Sequence, residues 1–119
     1  MYNHPLISVI VNCYNGEKFL NKSITSILDQ TYQNFEIVFW NNKSFDNSLS
    51  IIRNYNDNRI KIFDSENHTN ISVARNNAIK KSIGEYICFL DVDDYWNKYK
   101  LEKQIESFKF ENVGLSFTN

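Results

Sequence analysis

Gly84-Glu85-Tyr86-Ile87-Cys88-Phe89-Leu90-Asp91-Val92-Asp93-Asp94 runs an unbroken apolar segment, residues 86 to 90, straight into three carboxylates within four positions. An apolar run without alternation predicts a strand covered on both faces, the habit of parallel sheets flanked by helices. In such sheets ligands bind beyond the carboxyl ends of the strands, where Asp91, Asp93 and Asp94 fall. Like charges at this spacing repel unless a cation lies between them. Hard oxygen donors select Mg²⁺ or Mn²⁺, and two carboxylates leave coordination positions for water and for phosphate oxygens. The stretch therefore predicts an α/β fold and a metal-dependent site for a phosphate-bearing small molecule.

The same alternation of strand and helix extends over the chain. Leu6 to Cys13 predicts a buried strand closed by the turn signal Tyr14-Asn15-Gly16. Between Glu17 and Thr31, Leu20, Ile24, Ile27 and Leu28 recur at helical spacing. Phe35 to Trp40 predicts a second strand, followed by a polar loop in which Ser44 or Asp46 would cap a helix bearing Leu49, Ile52 and Tyr55. Ile60 to Phe63 predicts a third strand. Asn70 or Ser72 would cap a helix running to Ile83 and stopped by Gly84 at the position after its C-cap. After the acidic run, Leu101, Ile105 and Phe108 predict a helix and Val113 to Thr118 a last strand. The order βαβαβαβαβ implies right-handed crossovers and helices on both faces of a mainly parallel sheet of about five strands. The loops after strands one, two and four, with Tyr14-Asn15, Asn41-Asn42 and Asp91 to Asp94, then open at one sheet edge, and a ligand there meets all three.

Composition narrows the function classes. The 119 residues make one domain, and 13 Lys and Arg against 14 Asp and Glu give a net charge of −1, so no basic field exists to hold nucleic acid. Cys13 and Cys88 stand alone in apolar runs and read as buried thiols of a reducing compartment. No apolar run reaches the ~20 residues of a transmembrane span, and Met1 to Pro5 lacks the pattern of a secretory signal, which predicts a cytoplasmic protein. Neither G-x-G-x-x-G nor a P-loop follows the first strand, and Asn12-Cys13-Tyr14-Asn15 stands where a receiver-type domain would need an acidic pair.

Each candidate side chain has a plain alternative. Tyr14, just past a strand end, could stack on a base or pack as a turn residue on Phe19. Asn41 and Asn42 offer amides suited to a base edge, but consecutive Asn residues also form ordinary turns. Arg75, in the first turns of its helix, could hold phosphate or be a solvated charge. Asp94 could cap a helix beginning near Lys98, which leaves Asp91 and Asp93 as the better metal ligands. His4 and His68 lack partners at metal-ligand spacing and read as loop residues.

Ser8-Val9-Ile10-Val11 with Tyr14 to Glu17, Ser26 to Ile37, Ala74-Arg75-Asn76, Gly84-Glu85-Tyr86 and Asp91-Val92-Asp93-Asp94, in this order and spacing, closely resemble the family 2 glycosyltransferases of GT-A fold. The resemblance covers almost the whole chain and implies a three-layer α/β/α, Rossmann-like architecture. It implies that Tyr14 stacks on the nucleotide base, that Asn42 contacts the base edge and that Arg75 lies near the nucleotide. Asp91 would face the sugar nucleotide and Asp93 would ligate a divalent metal, Mn²⁺ or Mg²⁺, bridging its diphosphate. The family usually places an Asp in the loop after strand two, where this chain has Asn41-Asn42; the glycine-rich approach to Ala74-Arg75-Asn76 is replaced by His68 to Ile71.

The implied reaction is metal-dependent, inverting transfer of a sugar from a nucleoside diphosphate to an acceptor hydroxyl. Residues 1–119 are expected to form the nucleotide-sugar-binding part, with the acceptor-binding half and the catalytic base beyond Asn119. Implied partners are the donor and a saccharide or lipid-linked acceptor, with peripheral association at the inner membrane face, in bacterial polysaccharide assembly, and a homodimer as a further expectation. Two alternatives stay open on the sequence: a non-catalytic nucleotide-sugar-binding or interaction domain, and a sugar-phosphate nucleotidyltransferase.

Overall fold

The computed structural model describes residues 4–108. β1 (Ile7–Cys13) is built from Ile and Val, and every residue except Asn12 is buried. Such a strand is stable only at the centre of a sheet, and β1 pairs in parallel with β2 (Phe35–Asn41) on one side and with β4 (Tyr86–Asp91) on the other. β3 (Ile60–Asp64) pairs in parallel with β2, giving the order β3-β2-β1-β4. The chain therefore moves outward from β1 to β3 and then crosses back to place β4 on β1's free side. This reversal makes the gap between β1 and β4 the switch point at which such sheets open a crevice. The fifth strand expected at Val113 to Thr118 lies outside the described residues.

Helices cover both faces. Leu20, Ile24 and Ile27 of α1 (Leu20–Leu28), Ile52 of α2 (Ser48–Arg53) and Leu101 and Ile105 of α4 (Lys100–Ser107) pack on Val9, Val11, Ile37, Phe39 and Leu90. On the opposite face α3 (Ile71–Lys81) lays Ala78 on Ile10 and Val38, with Ile79, Trp40 and Phe63 around them. Each fully buried Ile or Leu contributes roughly 1.5–3 kcal/mol, so these two layers account for most of the driving force.

Several local expectations need correction. β4 is not covered on both faces: Ile87 and Phe89, which share a face with Ile10, are 40% and 46% exposed. The apolar run marked the strand, but β4 is the last strand of the described sheet and α3 lies over β1 and β2 instead. Neither Ser44 nor Asp46 caps α2; Asn47 holds that place without a side-chain bond, while Asp46 accepts from the Ser48 N–H at 2.9 Å. α3 is capped by Asn70, whose Oδ1 accepts from the Val73 N–H at 2.9 Å, but it ends at Lys81 rather than Ile83. Gly84 is not a left-handed cap, since no glycine among the described residues has positive φ. It is small because a Cβ there would stand 2.6 Å from Ser8 Oγ and 2.8 Å from the Leu6 carbonyl, so only glycine lets the chain enter β4 against β1.

That entry point is tied by one buried carboxylate. Glu36 of β2, 3% exposed, accepts from Ser8 Oγ at 2.6 Å, from the Ile83 N–H at 2.7 Å and from Lys61 Nζ at 2.8 Å. Burial alone would push the Glu36 carboxyl up, but these three donors outweigh it and hold the group below the usual glutamate range.

Candidate functional site

The carboxyl ends of β1 and β4 open into a cleft of about 580 Å³ lined by Asn12, Tyr14 to Gly16, Phe19, Asn42, His68 to Ile71 and Asp91 to Asp93. The three loops expected to meet do meet. The β1 loop turns at Asn15, whose φ of 52° is a left-handed conformation that Asn tolerates. Its backbone is held by the β2 loop and the start of α2: the Asn15 N–H donates to Ser44 Oγ and the Gly16 N–H to Ser48 Oγ, both at 2.9 Å. Gly16 also faces Val92, against which any Cβ would stand at 2.7 Å. A larger residue would push the tyrosine loop away from the acidic loop.

Tyr14 is 45% exposed in this cleft. Its ring contacts among the described residues are with His68 and Phe45 rather than with Phe19. Its ring meets His68 at 4.2 Å with a 49° tilt, and Phe45 edge-on at 6.0 Å. The sequence marks His68 only as a loop residue, and no spacing reveals its place beside Tyr14. Asn42 bonds the loop before α3 that carries His68.

Asn42 is buried, and both ends of its amide are engaged by Thr69: Nδ2 donates to the carbonyl at 2.8 Å, and Oδ1 accepts from the N–H at 3.0 Å. Asn41 is committed likewise, donating to Asp64 Oδ1 at 2.9 Å and accepting from the Ser44 N–H at 3.3 Å. Both side chains act as struts between loops, and neither presents a free amide edge to the cleft.

The acidic segment is a tight turn in which the Asp94 N–H donates to the Asp91 carbonyl at 2.9 Å. Asp91 closes β4 beside Asn12 of β1, and Arg75 of α3 donates from a terminal guanidinium nitrogen to Asp91 Oδ1 at 2.9 Å. Both partners are solvent-accessible, so the ion pair orients the carboxylate more than it stabilises the fold. Asp91 and Asp93 line the cleft with Tyr14, whereas Arg75 approaches Asp91 from an adjoining cavity that also contains Phe89 and Lys103. Asp94 does not cap α4, whose N-cap is Tyr99.

The donor set suits a hard divalent cation. Asp91 and Asp93 supply carboxylate oxygens, and Asn12 Oδ1, on the cleft wall next to Asp91, is buried without a hydrogen-bond partner. Such an orphaned oxygen costs roughly 1–3 kcal/mol unless a cation, water or ligand hydrogen meets it. No cluster of three or more His, Cys, Asp or Glu exists among the described residues, so a cation here would need oxygens from a ligand.

The segment between the acidic turn and α4 is anchored to α1. Gln30, 1% exposed, accepts from the Leu101 N–H at 3.0 Å and donates to the Asn97 carbonyl at 2.7 Å, while the Trp96 N–H donates to Ser26 Oγ at 3.1 Å. Ser26, Gln30, buried Tyr32 and Glu36 explain why the segment from Ser26 to Ile37 reads as a motif: it fixes the frame around the cleft. The two cysteines are free and take no part. Burial pushes the Cys13 thiol up and the Cys88 thiol up to about 12, so both stay protonated at neutral pH.

The pattern of glycosyl transferase family 2 matches residues 8–119. This chain belongs to that family. An uncharacterized glycosyltransferase of Haemophilus influenzae is 43% identical over 112 residues, covering 92% of this chain and 44% of the relative. WfgD of Escherichia coli, a UDP-Glc:alpha-D-GlcNAc-diphosphoundecaprenol beta-1,3-glucosyltransferase, is 38% identical over 114 residues, covering 96% of this chain and 45% of the relative. TarS of S. aureus, solved with UDP-GlcNAc, is similar with a TM-score of 0.79 and 28% identity over 93% of this chain and 37% of that one. The mannosyltransferase PcManGT of Pyrobaculum calidifontis, solved with GDP-Man and Mn²⁺, shares the fold with a TM-score of 0.87 at 23% identity, over 94% of this chain and 34% of that one. This family 2 chain thus spans less than half the length of the curated relatives it matches.

Proposed function

We propose that residues 1–119 form the donor-binding part of an inverting, metal-dependent glycosyltransferase that moves a sugar from a nucleoside diphosphate to an acceptor hydroxyl. The observation that carries this reading is the meeting of Tyr14, Asp91 and Asp93 in one cleft at the β1–β4 switch point. The exposed Tyr14 ring supplies an apolar face for the base. Arg75 fixes Asp91 through one oxygen and leaves the other for ligand. Asn41 and Asn42 keep the base-side loops in place.

Asp91 and Asp93 would hold a Mn²⁺ or Mg²⁺ ion, which when bound neutralises charge on the departing diphosphate. No described side chain is assigned as the base that deprotonates the acceptor. A uridine diphosphate sugar is the favoured donor, in keeping with the donors named for WfgD and TarS. A saccharide, in lipid-linked form as in the WfgD name, is the favoured acceptor, met at the inner membrane face during bacterial polysaccharide assembly. No helix among the described residues is long and apolar enough to cross a membrane. The family match leaves the nucleotidyltransferase alternative without support.

Calorimetry with UDP tests the reading. Binding that appears with Mn²⁺, disappears with chelator and is abolished by Asp93→Ala supports it. Metal-independent binding untouched by Asp93→Ala would instead favour a non-catalytic module.

A further inference from the structure

We infer that His68 reads the edge of the donor base, its Nε2 accepting the imide N3–H of a uracil stacked against Tyr14. The inference rests on the donor-site reading above and adds a residue that determines base specificity.

Uracil presents one donor, N3–H, between two carbonyl acceptors, so a site that recognises it needs an acceptor at that edge. The loop after β2 would be the expected source, but both of its asparagine amide oxygens are already engaged. Asn41 Oδ1 takes the Ser44 N–H, and Asn42 Oδ1 takes the Thr69 N–H at 3.0 Å with Thr69 Oγ1 at 3.4 Å. Both residues are buried, 1% and 3% exposed, so freeing either amide would leave backbone groups unsatisfied.

His68 is held differently. Its Nδ1 lies 3.0 Å from the Asn42 backbone carbonyl, and a carbonyl oxygen can only accept. Nδ1 therefore carries the proton, and in the neutral ring Nε2 carries a lone pair. Among the described residues His68 makes one hydrogen bond, the one to Asn42, and one ring contact, the one to Tyr14 at 4.2 Å. Its Nε2 is thus an unengaged acceptor on an exposed residue that lines the same cleft as Tyr14, Asp91 and Asp93. His68 and Tyr14 are in ring contact on the wall of one cleft, so a base packed on the exposed part of the Tyr14 ring lies beside the imidazole. Asn42 acts through His68: its backbone carbonyl selects the tautomer, and its amide, bonded to Thr69, fixes the loop that carries the ring.

Calorimetry of the full chain with Mn²⁺ and three ligands, UDP, CDP and 3-methyluridine diphosphate, tests this. Cytosine has an acceptor at N3 and the methylated uracil has no N3–H, so each should bind the wild-type chain about tenfold or more weakly than UDP. His68→Ala should weaken UDP about tenfold and bring the three ligands within about twofold of one another. His68→Gln, which offers a carbonyl acceptor, should recover part of the preference for UDP. Circular dichroism establishes that each variant is folded; where His68→Ala is not, the wild-type comparison of UDP with its methylated analogue still decides. Equal binding of UDP and 3-methyluridine diphosphate by the wild-type chain, or a UDP preference that survives His68→Ala, overturns the role of His68 while leaving the donor site standing. Absence of any UDP binding by the wild-type chain overturns the donor-site reading itself, and this inference with it.

Discussion

Glu36 and Gln30 show how single buried polar side chains set the frame of the cleft without entering it. Glu36 gathers Ser8, Lys61 and the Ile83 N–H, so it ties three strands and the entry to β4 together. Its folded pKa lies below the ordinary glutamate value, so the unfolded chain binds the proton more readily. The stability it contributes is fully present above the unfolded value of about 4.3 and is lost as pH falls through the lower folded value. Melting temperatures followed from pH 7 down to pH 3 should therefore drop below about pH 4.5, and Glu36→Gln should flatten that part of the curve. Gln30 is a second such residue. Gln30→Leu keeps most of the volume but strands the Leu101 N–H and the Asn97 carbonyl, an expected loss of about 2–4 kcal/mol in urea denaturation. His68 and Asn42 carry the opposite lesson about sequence. Asn42 resembles an exposed amide because polar loop residues usually are, and His68 looks idle because its partners lie far along the chain. Only the folded loops bring them together.

At the scale of elements, the strands were legible because central parallel strands must be apolar throughout, and β1, β2 and β4 are written in Ile, Val, Phe and Leu. The same reasoning overreached at β4, whose apolar run says nothing about which helix lies over it. Helix caps were legible where a side chain makes the bond, as Asn70 does, and illegible at α2, where neither expected residue holds the cap position. Asn70 has a wider consequence, because it starts the helix that delivers Arg75 to Asp91. Asn70→Ala should cost about 1 kcal/mol of stability, measured by urea denaturation, and Asn70→Ser should restore most of it.

For the molecule as a whole, the order of strands matters more than any motif. Because β4 returns to the free side of β1, the aromatic loop and the acidic turn end up on opposite lips of one crevice. That much is dictated by strand alternation and right-handed crossovers, which is why the meeting of these loops could be read from the sequence. The occupant of the crevice could not be read in the same way, since it depends on which polar atoms remain unspent after folding, as Asn12 Oδ1 does. The most direct test is a crystal of this chain grown with UDP and Mn²⁺ and measured at the manganese absorption edge. An anomalous peak is expected in contact with Asp91, Asp93 and the diphosphate, with the uracil ring against Tyr14. Nucleotide bound with no peak between those carboxylates, or with its base away from Tyr14, would contradict a metal-bridged donor site.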